Sequence, residues 1–236
     1  PRVLIVDDIE ATRTVAEAHL AALGCDTATA NDGAAGLAAM ARQHFDVVLM
    51  DSNMPILDGP AAIGLMRHLP RGVAARRVVG FSASTGEAST DKLARAGIDA
   101  ALAKPFSRRS LALALQPLIE QPQIASAPAD APDWLDLPLA LRQRLAESAR
   151  RDVPKLTAAL DAAFAAEDAV AAAQALHALK GLAGVLGAGD LAQWCAFGEL
   201  LVNAVAIVHA RWLAVTVRQA ADTMVGGLDL ATAPSS

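Results

Sequence analysis

Two adjacent acids at Asp7-Asp8, a third acid at Asp51, a hydroxyl at Ser82 and an ammonium at Lys104 each follow directly on a short apolar run. Carboxylates gathered in one place repel one another: at an effective dielectric near 20, two like charges about 4 Å apart cost about 4 kcal/mol. Such a cluster calls for a hard divalent cation with oxygen ligands and open positions for phosphate oxygens, and Lys104 adds a second, fixed positive charge. The chemistry open to this set is attack of a carboxylate oxygen on phosphorus. That reaction is poor without charge neutralisation and depends mostly on positioning and electrostatics. Singly, each residue has a plainer reading: Asp7 or Asp8 as a helix cap, Ser82 as a turn cap, Lys104 as a surface ammonium. Their joint placement outweighs those readings.

The elements that must position them follow from the hydrophobic pattern. Residues 2–6, 25–29, 46–51, 77–81 and 100–103 read as strands, and 9–23, 33–43, 59–69, 87–96 and 107–119 as helices. Strands alternating with helices predict an α/β domain built on a doubly wound parallel sheet. The four apolar residues that precede Asp51 fit a strand buried on both faces. Right-handed crossovers then bring the ends of the first, third, fourth and fifth strands to one edge, where open α/β sheets bind ligands.

As an ordered set, Asp7-Asp8, Asp51-x-x-Met54-Pro55-x-x-Asp58-Gly59, Ser82-Ala83 and Lys104-Pro105-Phe106 make residues 1–120 resemble a response-regulator receiver domain. The resemblance implies a flavodoxin-like five-stranded sheet with Asp51 as the phosphoacceptor. It further implies Mg²⁺ held by Asp8, Asp51 and the backbone carbonyl of Asn53, with Asp7 supporting the ion through water, and Ser82 and Lys104 on the phosphoryl group. One departure stands out. Receivers usually carry an aromatic residue three positions before the lysine; that position is Ala101, and the chain has no Tyr. The expectation is a receiver that passes its phosphoryl group on more than it signals by shape.

Residues 121–133 carry three prolines and little that could form a core, and read as an extended linker. Beyond it, over 134–236, helices are predicted at about 137–149, 152–166, 168–186, 188–204 and 206–226, with short connections, hence an all-α up-and-down bundle. On the third of these, Ala175, Leu179, Leu182 and Leu186 fall opposite His177, which places the imidazole in water. Gly181 and Gly184 lie on its side, and an interior helical glycine costs about 1 kcal/mol relative to Ala. Small residues there let another protein surface approach the ring, while Lys180, one turn on, can hold a phosphoryl oxygen. His19, His44, His68 and His209 have no such setting. The run His177-Ala178-Leu179-Lys180-Gly181, continued by Ala183-Gly184 and Gly187, resembles a histidine phosphotransfer (HPt) domain. That resemblance implies His177 as a second phosphoacceptor, Lys180 and Gly181 as accessories, and Gln174 as a residue that orients the ring.

A net charge of -5 with no basic run argues against nucleic acid as a partner. No apolar run reaches the roughly 18 to 20 residues that span a bilayer, so no membrane insertion of this chain is expected. Cys25 and Cys195 lack metal-ligand spacing and read as buried thiols of a reducing, cytoplasmic compartment. No ATP-binding kinase segment, DNA-binding module or output domain is visible. The expected role is therefore a phosphorelay component, either free-standing or a piece of a membrane-bound hybrid sensor kinase, with a sensor histidine kinase and a downstream receiver as partners. The rival readings are a Mg²⁺-dependent phosphohydrolase, disfavoured because Asn53 stands where such enzymes want a second acid, and a non-phosphorylated interaction module, disfavoured by the intact acid set.

Overall fold

The computed structural model describes residues 1–70, 77–82, 87–119 and 138–231; of Ser82, 87–91 and 229–231 the backbone alone is described. The expected linker at 121–133 lies outside the described residues. The chain divides into two compact units, Pro1–Ser126 and Ala127–Ser236.

In the first unit the strands are β1 (Arg2–Val6), β2 (Asp26–Ala30), β3 (Val47–Asp51), β4 (Arg77–Ser82) and β5 (Ala100–Ala103), and the helices are α1 (Glu10–Ala21), α2 (Gly33–Arg42), α3 (Gly59–Met66), α4 (Glu87–Ala96) and α5 (Arg108–Ile119). The sheet order is β2-β1-β3-β4-β5, with every pair parallel. This is the flavodoxin-like order, whose reversal between β1 and β3 opens a crevice at the carboxyl edge. Alternation along the strands sends Val3, Ile5, Val47, Leu49, Val79 and Phe81 to one face, packed with Leu20 of α1 and Leu111 and Leu115 of α5. Leu4, Val6, Val48, Met50 and Val78 are equally buried on the other. There Gly36 of α2 lies so close to Val6 that a Cβ would sit 3.1 Å from its side chain, and Gly80 is similarly closed off by Leu93 of α4. Being covered on both faces is what makes the central strands read as unbroken apolar runs. Edge strand β2 is half open and alternates instead. Helix α3 stops at Met66, three residues short of the run read from sequence, because the last turn tightens through bonds from His68 N–H to Leu65 and from Leu69 N–H to Met66 ahead of Pro70.

The second unit holds α6 (Leu139–Ala165), α7 (Ala169–Val185), α8 (Gly189–Ala204), a 3-10 turn (Ile207–Ala210) and α9 (Trp212–Ala231). Each long helix packs on two others, α6 on α7 and α9, and α8 on α7 and α9, which closes an up-and-down four-helix bundle. The sequence reading split the first helix near residue 150; it is instead one helix of 27 residues that runs through Pro154. The buried stripe Ala146, Ala149, Val153, Thr157, Leu160 and Phe164 keeps helical spacing across the proline, which itself faces outward. Losing one backbone bond there costs less than breaking the stripe. Cys195 is buried as expected, whereas Cys25 is only half-buried.

Candidate functional site

Strand register assembles the first site. Asp51 pairs with Phe81 across β3 and β4, and Ser82 pairs with Ala103 across β4 and β5, so Asp51, Ser82 and Lys104 leave the sheet at the same edge as Asp7, the residue after β1. Asp7 is fully buried and Asp51 is 5% exposed. Lys104 Nζ donates to Asp7 Oδ2 at 2.6 Å and to Asp51 Oδ1 at 2.9 Å. The other Asp7 oxygen accepts from the Ile9 N–H at 2.7 Å, and Arg13 donates to the Asp7 carbonyl at 2.7 Å. Asp8 is exposed, and one carboxylate oxygen from each of Asp7, Asp8 and Asp51 lies within 4.8 Å of the others. Lys104 also sits 4.6 Å from the centre of the Phe81 ring, against which Phe106 packs edge-on.

Burial pushes the Asp51 carboxyl above the ordinary carboxylate range, and the nearby Asp7 charge pushes in the same direction. The hydrogen bond and charge of Lys104 pull it back. One ammonium stands against three carboxylates, so an all-oxygen set remains with charge to spare, which suits a hard divalent cation.

The loop after β3 is held on the backbone. The Ser52 N–H donates to Phe81 and the Gly59 N–H to Ser52, while Met54 and Leu57 bury their side chains. A Cβ on Gly59 would lie 2.0 Å from the Asp51 carbonyl oxygen, so only glycine allows α3 to start this close to β3. Asp58 caps that helix by accepting from the Ala61 N–H at 2.9 Å. Asn53 is exposed and donates to the Ser52 hydroxyl at 3.2 Å. Ala101, in the place usual for an aromatic, is exposed on β5 opposite Gly80. The Ser82 side chain lies outside the described residues.

The second site belongs to the bundle. Helix α7 buries Ala172, Ala175, Leu176, Leu179 and Ala183, with Leu186 just past its end. Leu182, expected among them, is only half-buried. The stripe is turned toward Leu176 because α7 packs on both α6 and α8. His177 points away from it, with its side chain 78% exposed. Gly181 and Gly184 have nothing within 4 Å of where a Cβ would sit. An open groove of ≈ 770 Å³ surrounds the ring, lined in part by Val170, Ala173, Gln174, Lys180 and Asn203.

Sequence reasoning missed Glu199. It stands on α8, with one carboxylate oxygen 3.0 Å from His177 Nδ1 and the other paired to the Lys180 ammonium. It therefore holds the place against the ring that was expected of Gln174. The available signal was faint: Glu199 and Asp190 are the only charged residues of α8.

A carboxylate sunk at a parallel-sheet edge beside a lysine, and a solvent-facing histidine on a helical bundle, are the two acceptor types of a two-component phosphorelay protein. Residues 3–116 match the response regulator receiver domain and residues 140–227 the Hpt domain, and the chain belongs to these families in that order. The sensor protein GacS of Pseudomonas syringae pv. syringae is 31% identical over 223 residues, 86% of this chain and 25% of GacS. Protein PilG of Pseudomonas aeruginosa is 34% identical over 110 residues, 47% of this chain and 81% of PilG. The hybrid signal transduction histidine kinase F of Dictyostelium discoideum is 35% identical over 123 residues, 51% of this chain and 10% of the kinase. The chain thus spans a small part of the hybrid kinases it matches. A crystal structure of a sensor histidine kinase receiver domain from Pseudomonas aeruginosa PAO1, with magnesium coordinated in its active-site cleft, is 31% identical; the match covers 51% of this chain and 98% of that one, with a TM-score of 0.48. No helix among the described residues is long and apolar enough to cross a membrane.

Proposed function

We propose that Asp51 accepts a phosphoryl group from the histidine of a sensor kinase and that His177 carries the group onward to the aspartate of a downstream receiver, on the cytoplasmic side of the membrane. The observation that carries this is the contrast between the two sites: Asp51 is 5% exposed between Lys104 and Asp7, and the His177 side chain is 78% exposed above bare glycines.

In this reading an Asp51 oxygen attacks phosphorus while Lys104 neutralises charge on the carboxylate and then on the phosphoryl oxygens. Asp8, Asp51 and the Asn53 carbonyl would hold Mg²⁺, with Asp7 supporting it through water; when bound, the ion neutralises charge that Lys104 alone leaves uncompensated. Ser82, one residue beyond the partner of Asp51 on β4, would donate its hydroxyl to a phosphoryl oxygen. His177 would attack in turn through a ring nitrogen, with Lys180 one turn along α7 to steady the group.

A labelled phosphotransfer assay with a donor kinase tests the reading on the wild type, Asp51→Asn and His177→Gln. Acid-labile phosphoramidate should form on His177 only where Asp51 is intact, and His177→Gln should stop at the acyl phosphate. Equal labelling of His177 in the Asp51→Asn protein would contradict the proposed order, and steady release of phosphate from a small substrate would favour a hydrolase.

A further inference from the structure

We infer that Phe81 is a positioning residue for the phosphoryl chemistry of Asp51: the face of its ring holds the Lys104 ammonium beside the two carboxylates without taking any of its N–H donors. The inference rests on Asp51 being a phosphoryl acceptor, as proposed above.

Phe81 is the cross-strand partner of Asp51 and is 1% exposed, so the register that places the acceptor also places the ring. Phe106 packs edge-on against it, with 5.8 Å between ring centres and 78° between planes, and His19 of α1 packs on Phe106 in turn at 6.5 Å. The ring is thereby fixed in the core. Lys104 Nζ lies 4.6 Å from its centre, and the lysine side chain is 13% exposed. A cation over an aromatic face is drawn by the quadrupole of the ring, more strongly where water is kept out. A leucine in the same place would exclude water equally and offer the ammonium no negative face. The aromatic residue of this pocket therefore stands on the other side of the sheet from the position usual in receivers. Ala101 and its partner Gly80 share the face that carries Leu93 of α4, whereas Phe81, the next residue, faces α1 and α5.

The contact matters because of what the ammonium has to do. Asp7 and Asp51 engage two of its three N–H donors. The ring attracts the charge as a whole, so the third donor is left for a phosphoryl oxygen. As an Asp51 oxygen forms its bond to phosphorus, the donor nitrogen leaves with the electron pair of the old N–P bond, and negative charge spreads over the phosphoryl oxygens. An ammonium tethered by the two carboxylates alone would be released in part as Asp51 gives up its charge. One that also rests on a ring fixed in the core stays in place through the step.

The test uses the full chain carrying His177→Gln, so that Asp51 is read alone, with Phe81 replaced by mono-, di- and trifluorinated phenylalanine and, separately, by Leu. Each fluorine draws electron density from the ring face and changes its size little. The initial rate of labelling by phosphoramidate in Mg²⁺ buffer reports reactivity. The NMR shift of the Lys104 ε-methylene protons in the resting, metal-free chain reports the contact, because a ring face moves nearby protons upfield. In the parent these protons should lie upfield. Along the fluorinated series that shift should shrink and the rate should fall stepwise, to about one-fifth for the trifluorinated ring, with the circular dichroism midpoint of the first unit unchanged. Phe81→Leu should be at least as slow. Lys104 protons at their ordinary position in the parent, a rate that holds constant along the series, or Phe81→Leu at the parent rate overturns the inference while leaving Asp51 as acceptor. A parent that takes no label at Asp51 overturns the acceptor reading and the inference with it.

Discussion

Replacing Lys104 by methionine isolates what holds the receiver pocket together. The ammonium lies 2.6 Å from Asp7 and 2.9 Å from Asp51, with the three side chains between 0 and 13% exposed. At an effective dielectric near 20, each contact is worth about 6 kcal/mol before desolvation. Desolvation of the lysine cancels much of that, but removing one member of a buried set strands the others, which costs about 3 kcal/mol at pH 7. With a urea slope of about 1.5 kcal/mol per molar, the midpoint should fall by about 2 M.

The pH dependence fixes the sign. The folded pKa of Asp51 lies above its unfolded value, chiefly through burial. Between those two values the folded chain holds a proton that the unfolded chain has lost, so this group withdraws stability as pH rises through the window. Lys104 supplies the two largest opposing influences, and its removal widens the window upward. In metal-free buffer the deficit of Lys104→Met should therefore be small near pH 4 and grow toward pH 7. The two units can be read separately. The chain has three Trp, at 134, 194 and 212, and no Tyr, and all three fall in the second unit. Far-UV circular dichroism should show an early transition while tryptophan fluorescence stays at the wild-type midpoint. A deficit independent of pH, or a variant as stable as the wild type at pH 7, would refute the reasoning.

Two further substitutions probe close approaches, one in each unit. Gly59→Ala places a methyl group 2.0 Å from a backbone oxygen that cannot turn aside, and should destabilise the first unit by about 3 kcal/mol, seen in circular dichroism but not in fluorescence. Gly198→Ala meets the ends of the Leu213 and Leu176 side chains at 2.7 and 3.0 Å, which can give way, so the cost should be about 1–2 kcal/mol and appear in the fluorescence transition.

Much of the receiver half was legible in the chain because its signals are local. The run ending in Asp51 is apolar, short and followed by Pro55, and Lys104-Pro105 closes β5 just as sharply, so strand ends and the chemistry at them could be read together. The bundle was legible as helices and less so as packing. The first helix reads as two, parted near residue 150, until α7 and α9 are there to hold one buried stripe that continues across Pro154. Glu199 was missed for a related reason. Nothing in α8 alone relates it to His177, 22 positions earlier; the pairing exists only once α8 lies along α7. Where tertiary contact creates the function, propensity and spacing cannot supply it.

The opposite exposure of the two proposed carriers follows from their chemistry. Asp51 needs neighbouring positive charge to act as a nucleophile, and near-complete burial beside Lys104 strengthens that interaction while forcing any partner to reach inward. Two acceptors both set that deep could never meet. An imidazole on a helix cleared by Gly181 and Gly184 can reach, with Glu199 and Lys180 beside it in place of a buried pocket around it. The bundle can therefore stay simple, four helices and one projecting ring, because the receiver it docks with brings the electrostatics.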